Sequence, residues 1–169
     1  MILTRDKLIE EIGAGRVEID PFDERYLGPA SYDLHLAGEI RILNPYINAV
    51  DVTEDADYIR FSRVHSLATP FLLEPGQTIL GITQERIRLA PDLCGWLEGR
   101  SRFARLGLMI HITAGFVAPG VNNRQVLEIS NVAPYALRIH AGVRIAQLIV
   151  QRAEGQATYA GRFVRQMEI

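Results

Sequence analysis

FLLEPGQTILGITQERIRLAPDLCGWLE, residues 71 to 98, reads as four short strands in succession. Phe71 to Glu74, Thr78 to Thr83, Arg86 to Leu89 and Gly95 to Glu98 are apolar or alternate polar with apolar, and Pro75-Gly76 and Pro91-Asp92 are turn dipeptides between them. Outward from this stretch the pattern continues. Ser31 to Leu36 and Glu39 to Leu43 alternate and are split by Ala37-Gly38, which predicts a hairpin. Downstream, strands are predicted over Leu108 to Thr113, Val126 to Asn131, Ala136 to His140 and Arg144 to Gln151, with Ala141-Gly142 turning between the last two. Residues 5 to 12 form the one clear helix, with Thr4 as N-cap, Gly13 as stop, and Leu8, Ile9 and Ile12 on one face. Many short strands and one helix predict an all-β barrel or sandwich.

Two regions stand outside this rhythm. Asp51, Glu54, Asp55 and Asp57 make an acidic run that reads as a solvated loop, with Tyr58 to Phe61 as a short strand within it. Residues 153 to 169 have small residues and isolated Tyr159, Arg162, Phe163 and Gln166, the texture of a mobile arm. With 169 residues and no linker or repeat, the chain reads as a single domain over 1–169, with 153–169 as a C-terminal arm.

Composition narrows the function classes. Eighteen basic and 20 acidic residues give a net charge of -2, which offers no field for nucleic acid. No apolar run is long enough to span a membrane and the N-terminus lacks a signal-peptide core, which points to the cytoplasm. The single cysteine, Cys94, forms neither a disulfide framework nor a C-x-x-C metal site, and in an apolar strand it reads as a buried, inert thiol.

The chemistry concentrates between Gly95 and Asn131. In the run Val126 to Asn131, period two puts Glu128 on one face with Val126 and Ser130, and Leu127 and Ile129 on the other. A carboxylate inside a sheet must pair, accept hydrogen bonds or stay protonated, and each outcome is a route to a general acid or base. Nearby, Arg100 and Ser101 open a short helical turn able to present a guanidinium, a hydroxyl and backbone N–H groups to phosphates. His111, alternating with Met109 and Thr113, reads as a satisfied, partly buried strand histidine, and Trp96 as strand packing.

Several segments together resemble the dCTP deaminase family of the trimeric dUTPase-like superfamily: PASYDLHL, residues 71 to 108, HITAGF, VLEISN and YAGRFVRQ. The resemblance implies a distorted β-barrel of the dUTPase-like type with a short N-terminal helix, assembled as a homotrimer with sites between subunits. It puts the catalytic glutamate at Glu128, with Ser101 and Arg105 supporting it. Arg100, Ala114, Tyr159, Arg162, Phe163 and Gln166 are the implied substrate-binding residues, the last four on an arm that acts as a lid, with arginine at 162 where the family has lysine. It further implies a hydrolase, a dCTP deaminase with dUTPase activity as an addition, acting in pyrimidine deoxynucleotide metabolism to supply dUMP for dTTP synthesis. Magnesium would come with the triphosphate, and dTTP would be an inhibitor.

The residues fit deamination of dCTP to dUTP and ammonia without zinc, because zinc deaminases need His/Cys and C-x-x-C ligands that one cysteine cannot supply. There are departures from the family pattern. Ala118 stands where an aspartate is usual, Val121 and Asn123 replace an aromatic and a glycine, and Arg102 replaces a small hydroxyl residue. These changes are expected to cluster in the nucleotide pocket and to weaken dUTP hydrolysis most, whereas Gly115-Phe116 resembles bifunctional members that take dCTP to dUMP. The alternatives are therefore a dUTP diphosphatase, alone or coupled to deamination, and a nucleotide-binding relative without turnover.

Overall fold

The computed structural model describes residues 1–111 and 113–169. Helix α1 (Arg5–Gly13) precedes β1 (Val17–Asp20), β2 (Tyr32–Leu43), β3 (Ser62–Ser66), β4 (Phe71–Leu73), β5 (Thr78–Leu89) and β6 (Leu93–Gly99). A one-turn helix, α2 (Ser101–Ala104), then leads to β7 (Leu108–Ile110), β8 (Phe116–Val117), β9 (Asn122–Asn131), β10 (Leu137–Ile139) and β11 (Arg144–Arg152). Nine strands form one antiparallel sheet in the order β7-β9-β5-β2-β11-β6-β8, with β1 on β5 and β3 on β2, while β4 and β10 pair separately. The sheet curls into a half-barrel, the dUTPase-like architecture expected from the sequence. Its inner face carries the core. Leu34, Leu36, Ile40, Ile79, Leu127, Ile129 and Leu148 are fully buried, each contributing about 1.5–3 kcal/mol by leaving water.

The strands are longer than their sequence signals suggest. Ala37-Gly38 does not turn a hairpin: β2 runs straight through it, with a register shift between Leu36 and Ile40 against β5. The reason is that buried residues continue on both sides, and the shift lets the strand pass from β11, which pairs with Tyr32 to His35, to β5 and β3. The two strands expected over residues 78–83 and 86–89 are likewise one, β5, with a second register shift between Ile82 and Arg86. At that shift Glu85 turns inward and is 2% exposed, with Oε1 2.6 Å from His35 Nδ1 and Oε2 accepting from His35 N at 2.9 Å.

Other expectations change as well. Tyr58–Phe61 is a 3-10 turn, not a strand, because Asp57 accepts from Ile59 N and starts it. β7 stops at Ile110, since His111 has φ +54°; the part of the expected strand at Ile112 lies outside the described residues. Trp96 is 42% exposed and tilts against Phe116 on β8, so it is not core packing. Cys94 is buried, as expected.

Helix α1 buries Leu8 and Glu11, while Ile9 is exposed. Thr4 makes no side-chain cap to the backbone, and the stop is Gly15 instead of Gly13. Gly15 has φ +65°, its N–H reaches Ile12 O, and Arg16 N–H reaches Glu11 O, the paired bonds of a Schellman end. Glu11 pairs with Arg16 at 2.6 Å and Arg152 at 2.5 Å, tying the helix to β11. Burial pushes its pKa up, but the two guanidiniums outweigh that and hold it below the ordinary value. A depressed folded-state pKa stabilises above the unfolded value and is lost as pH falls through the folded one. Glu11→Gln is thus expected to cost about 1–2 kcal/mol at pH 7, at the modest end because both arginines are partly exposed. Urea denaturation should show that gap closing as the pH drops below the usual glutamate range.

Candidate active site

Strand β9 carries the site. Leu127 and Ile129 face the core at 0% exposure, and Val126, Glu128 and Ser130 face the other way, the division that period two predicts. On that outer face Glu128 lies beside Leu80 of β5 and opens into a cavity of about 460 Å³, within the usual range for small-ligand sites. Asn123, Gln125 and Val126 extend its floor. Ala114, Phe116, Ala118 and Val121 form one wall, and Tyr58, Tyr159, Phe163 and Gln166 close the other.

Glu128 has a partner that the sequence did not single out. His111 Nδ1 lies 3.1 Å from Glu128 Oε2, off line for a full hydrogen bond, and neither atom has another partner or contact with solvent. The backbone fixes this contact, since His111 N donates to Glu128 O at 2.8 Å just past the end of β7. Left-handed backbone at a non-glycine residue is the one local signal, and it is invisible in sequence. The imidazole holds Glu128 below the usual carboxylate range, overcoming the burial that pushes it up. At neutral pH the side chain is therefore ionised.

The arm, expected as a mobile segment outside the core, lies against β9. Asn123 Nδ2 donates to Phe163 O at 2.7 Å, and Arg124 N donates to Gln166 O at 2.9 Å. Gln166 Nε2 returns a bond to Arg124 O at 3.0 Å, and Ile169 is buried against Ala37 and Ile82. Glycine is needed at 120, where φ is +69° and a Cβ would come within 2.8 Å of Thr158 Cα as the arm crosses the turn. Arg162 lies at the rim, donating to Ala56 O at 3.0 Å and standing 3.7 Å from Asp57.

One chain thus brings together Glu128, Ala114, Tyr159, Phe163 and Gln166, with Arg162 beside them. The departures Ala118, Val121 and Asn123 line the same cavity, as expected from the sequence. Ser101, Arg100 and Arg105 do not join them. Ser101 opens on a second cavity, shared with Gly99, Met109 and Gln147, and His111 forms the wall between the two. Arg100 is occupied by Asp33 at 2.9 Å and Arg144 O at 3.0 Å, Arg102 lies with it in a third cavity, and Arg105 is exposed. The physical reason is that α2 leaves the end of β6, on the far side of His111 from Glu128. Among the described residues no three His, Cys, Asp or Glu side chains come together to hold a metal ion, and no helix is long and apolar enough to cross a membrane.

Asn123 makes the tightest side-chain bond between sheet and arm. Losing that bond costs about 1 kcal/mol, so Asn123→Ala is expected to speed tryptic cleavage after Arg162 and Arg165 roughly fivefold with the melting temperature little changed. Unaltered cleavage would show that the arm is held by its backbone bonds to Arg124.

Comparison with known proteins identifies the family. Residues 2–153 match the dCTP deaminase-like family model. A protein of Rhodococcus jostii named "dCTP deaminase, dUMP-forming" is 39% identical over 160 residues, covering 94% of this chain and 85% of that protein. Among solved structures, the 2'-deoxycytidine 5'-triphosphate deaminase of Agrobacterium tumefaciens superposes with a TM-score of 0.71 at 19% identity, over 90% of this chain and 48% of that one. The chain thus spans about half the length of that protein. The dUTPase of Staphylococcus bacteriophage 80alpha gives a TM-score of 0.52 at 15% identity, over 88% of this chain and 97% of that one. These two likenesses concern the fold alone. The relative's name also corrects one expectation: formation of dUMP, expected as an addition to a hydrolase that deaminates dCTP, is part of that relative's named activity. With a family model spanning nearly all of its strands and a relative aligned over almost its full length, the chain belongs to the dCTP deaminase-like family.

Proposed function

We propose that the chain deaminates dCTP and carries the product on to dUMP, as the name of its Rhodococcus relative describes. The observation that supports this most directly is Glu128, an ionised carboxylate at the floor of a nucleotide-sized cavity and the only carboxylate lining it among the described residues. A base to be deaminated at C4 needs one group that both takes and gives protons. Water oxygen bonds to C4 while the N3=C4 electron pair moves to N3. Glu128 takes the proton from water and passes it to N3. The new C4 hydroxyl then yields its proton to the amino group by way of Glu128, the C–N bond breaks, ammonia leaves and C4=O forms. N3 keeps its proton, so atoms and charges balance and Glu128 returns to its starting state.

Tyr159, Phe163 and Gln166 would close over the nucleotide and exclude water from the reacting face, with Arg162 available to the phosphates. With no three-donor metal cluster among the described residues, magnesium is proposed to arrive on the triphosphate, where it would offset phosphate charge. Ala118 supplies no carboxylate for the second step, so release of pyrophosphate would rest on water held by other groups of the cavity. dTTP, similar in its sugar and phosphates, is the proposed inhibitor, and the cytoplasm the proposed location.

Ser101, Arg100 and Arg105 are proposed to enter the site from a second subunit of a homotrimer, which their distance from Glu128 in one chain favours. Purified protein given dCTP and magnesium is expected to release ammonia and dUMP. Glu128→Gln should slow ammonia release by at least about 100-fold, and an unimpaired variant would end the assignment. If the sites are shared, mixing inactive Glu128→Gln with inactive Ser101→Ala should restore about a quarter of the wild-type rate through sites built from two intact halves. No recovery after subunit exchange would place each site within one chain.

A further inference from the structure

We infer that His111 is a proton-holding and positioning residue for Glu128, so that the acid–base unit of this cavity is a Glu128–His111 pair carrying one shared proton. The inference rests on the deaminase reading for its kinetic meaning, but its structural basis is independent of it.

The first step is the tautomer. His111 Nε2 lies 2.8 Å from Ala114 O. A carbonyl oxygen only accepts, so Nε2 carries a hydrogen. A neutral imidazole with that hydrogen has a bare lone pair on Nδ1, and Nδ1 is the atom 3.1 Å from Glu128 Oε2. A bare ring nitrogen and a carboxylate oxygen 3.1 Å apart and out of reach of solvent repel each other unless one of them carries a proton. Glu128 is ionised, so the proton lies on Nδ1 and the pair is imidazolium–carboxylate. The pair thus holds one proton that neither residue would need alone.

The surroundings keep it there. The imidazole is 7% exposed and the Glu128 side chain 33%. Since Oε2 is shut off from solvent, the carboxylate meets the cavity through Oε1. The other titratable groups facing the pair are the phenols of Tyr58 and Tyr159 across this cavity and Glu98 of β6 in the cavity behind His111. None of these is a cation that could take the place of the imidazolium. The backbone also pays for the arrangement, because φ +54° is uncommon for a residue with a side chain and is borne by His, Asn and Asp more readily than by most.

Deamination gives the imidazolium a purpose. Oε1, the oxygen that meets the cavity, takes the proton of water and hands it on to N3. The imidazolium beside the solvent-excluded Oε2 keeps the carboxylate ionised and aimed at the start of each turnover. The pair begins and ends each turnover with the one proton on Nδ1.

Two measurements test this. In nucleotide-free, nitrogen-15-labelled protein at neutral pH, His111 is expected to show protonated Nε2 and protonated or proton-sharing Nδ1. In Glu128→Gln, Nδ1 should change to an unprotonated nitrogen. A His111 spectrum with bare Nε2, or one unchanged by Glu128→Gln, would overturn the shared proton, and it would do so whether or not the protein deaminates dCTP. The kinetic test is His111→Asn, which tolerates the left-handed backbone and offers an N–H near the Nδ1 position that cannot be given up. It is expected to keep its melting temperature and KM within about threefold, to lower kcat about 10- to 100-fold, and to flatten the alkaline limb of the kcat profile. A merely structural histidine would instead move KM or stability and leave the limb in place. If ammonia is released with the spectrum as expected but His111→Asn retains wild-type kcat and profile, the pair is a structural contact and the proposal falls. If no ammonia is released by the wild type, the function reading fails separately from the spectrum.

Discussion

The burial of Glu85 against His35 decides where the site can be. A carboxylate that is 2% exposed is tolerated only because both its oxygens are engaged by one residue of the neighbouring strand, through the imidazole and the backbone N–H. To reach that position, β5 takes up two extra residues between Ile82 and Arg86 relative to β9. The irregularity is held by Thr83 Oγ1, which donates to Glu85 O at 2.8 Å and accepts from Gln125 N at 3.0 Å. Extra local twist follows from such an insertion. Opposite it, β9 shows Asn123 and Gln125 as well as Val126 and Glu128 to one cavity, which strict alternation would forbid. A buried carboxylate–imidazole contact on one face thus shapes the floor of the cavity on the other.

The same strand then serves two purposes. Its second half carries Glu128 and is held from one side by β7 and from the other by β5. Its first half offers Asn123 and Arg124 as anchors for the arm. Glu128 thus sits where β9 is flanked by strands on both sides, and the arm's anchors sit beyond the register shift, where β5 is the one paired neighbour among the described residues. The arm has no regular secondary structure, so its hold on the sheet is a handful of hydrogen bonds and Ile169. Such a segment sits at the low-stability end of the molecule.

What was legible in the sequence follows this division between local and distant causes. The face of Glu128 came from period two alone, and the departures at Ala118, Val121 and Asn123 were placed in the pocket by resemblance and are found lining it. Elements whose form depends on remote partners were not legible. Ala37-Gly38 has turn composition, yet the chain continues because β11, β5 and β3 each take a portion of β2. Gly13 has stop composition, yet Gly15 is the residue with positive φ. Asn123, a departure in sequence, proved to be the arm's anchor, because the carbonyl it meets is 40 residues away. His111 was the largest omission. Its pattern with Met109 and Thr113 suggested an ordinary strand, and nothing local shows that β7 ends one residue earlier.

The position of His111 also explains why the sequence-predicted site residues divide into two groups within one chain. It is the wall between the cavity of Glu128 and the cavity of Ser101. Its left-handed backbone is a local cost of order 1 kcal/mol or more, offset by three bonds or contacts: N–H to Glu128 O, Nε2 to Ala114 O, and Nδ1 against Glu128 Oε2. All three tie the segment after β7 to β9 or to the loop leading into β8. A residue so placed can sense the charge of the glutamate on one side while bordering the serine's surface on the other. The buried oxygen of the carboxylate and the wall between the two surfaces therefore meet in one side chain, so that a substitution at His111 alters both at once.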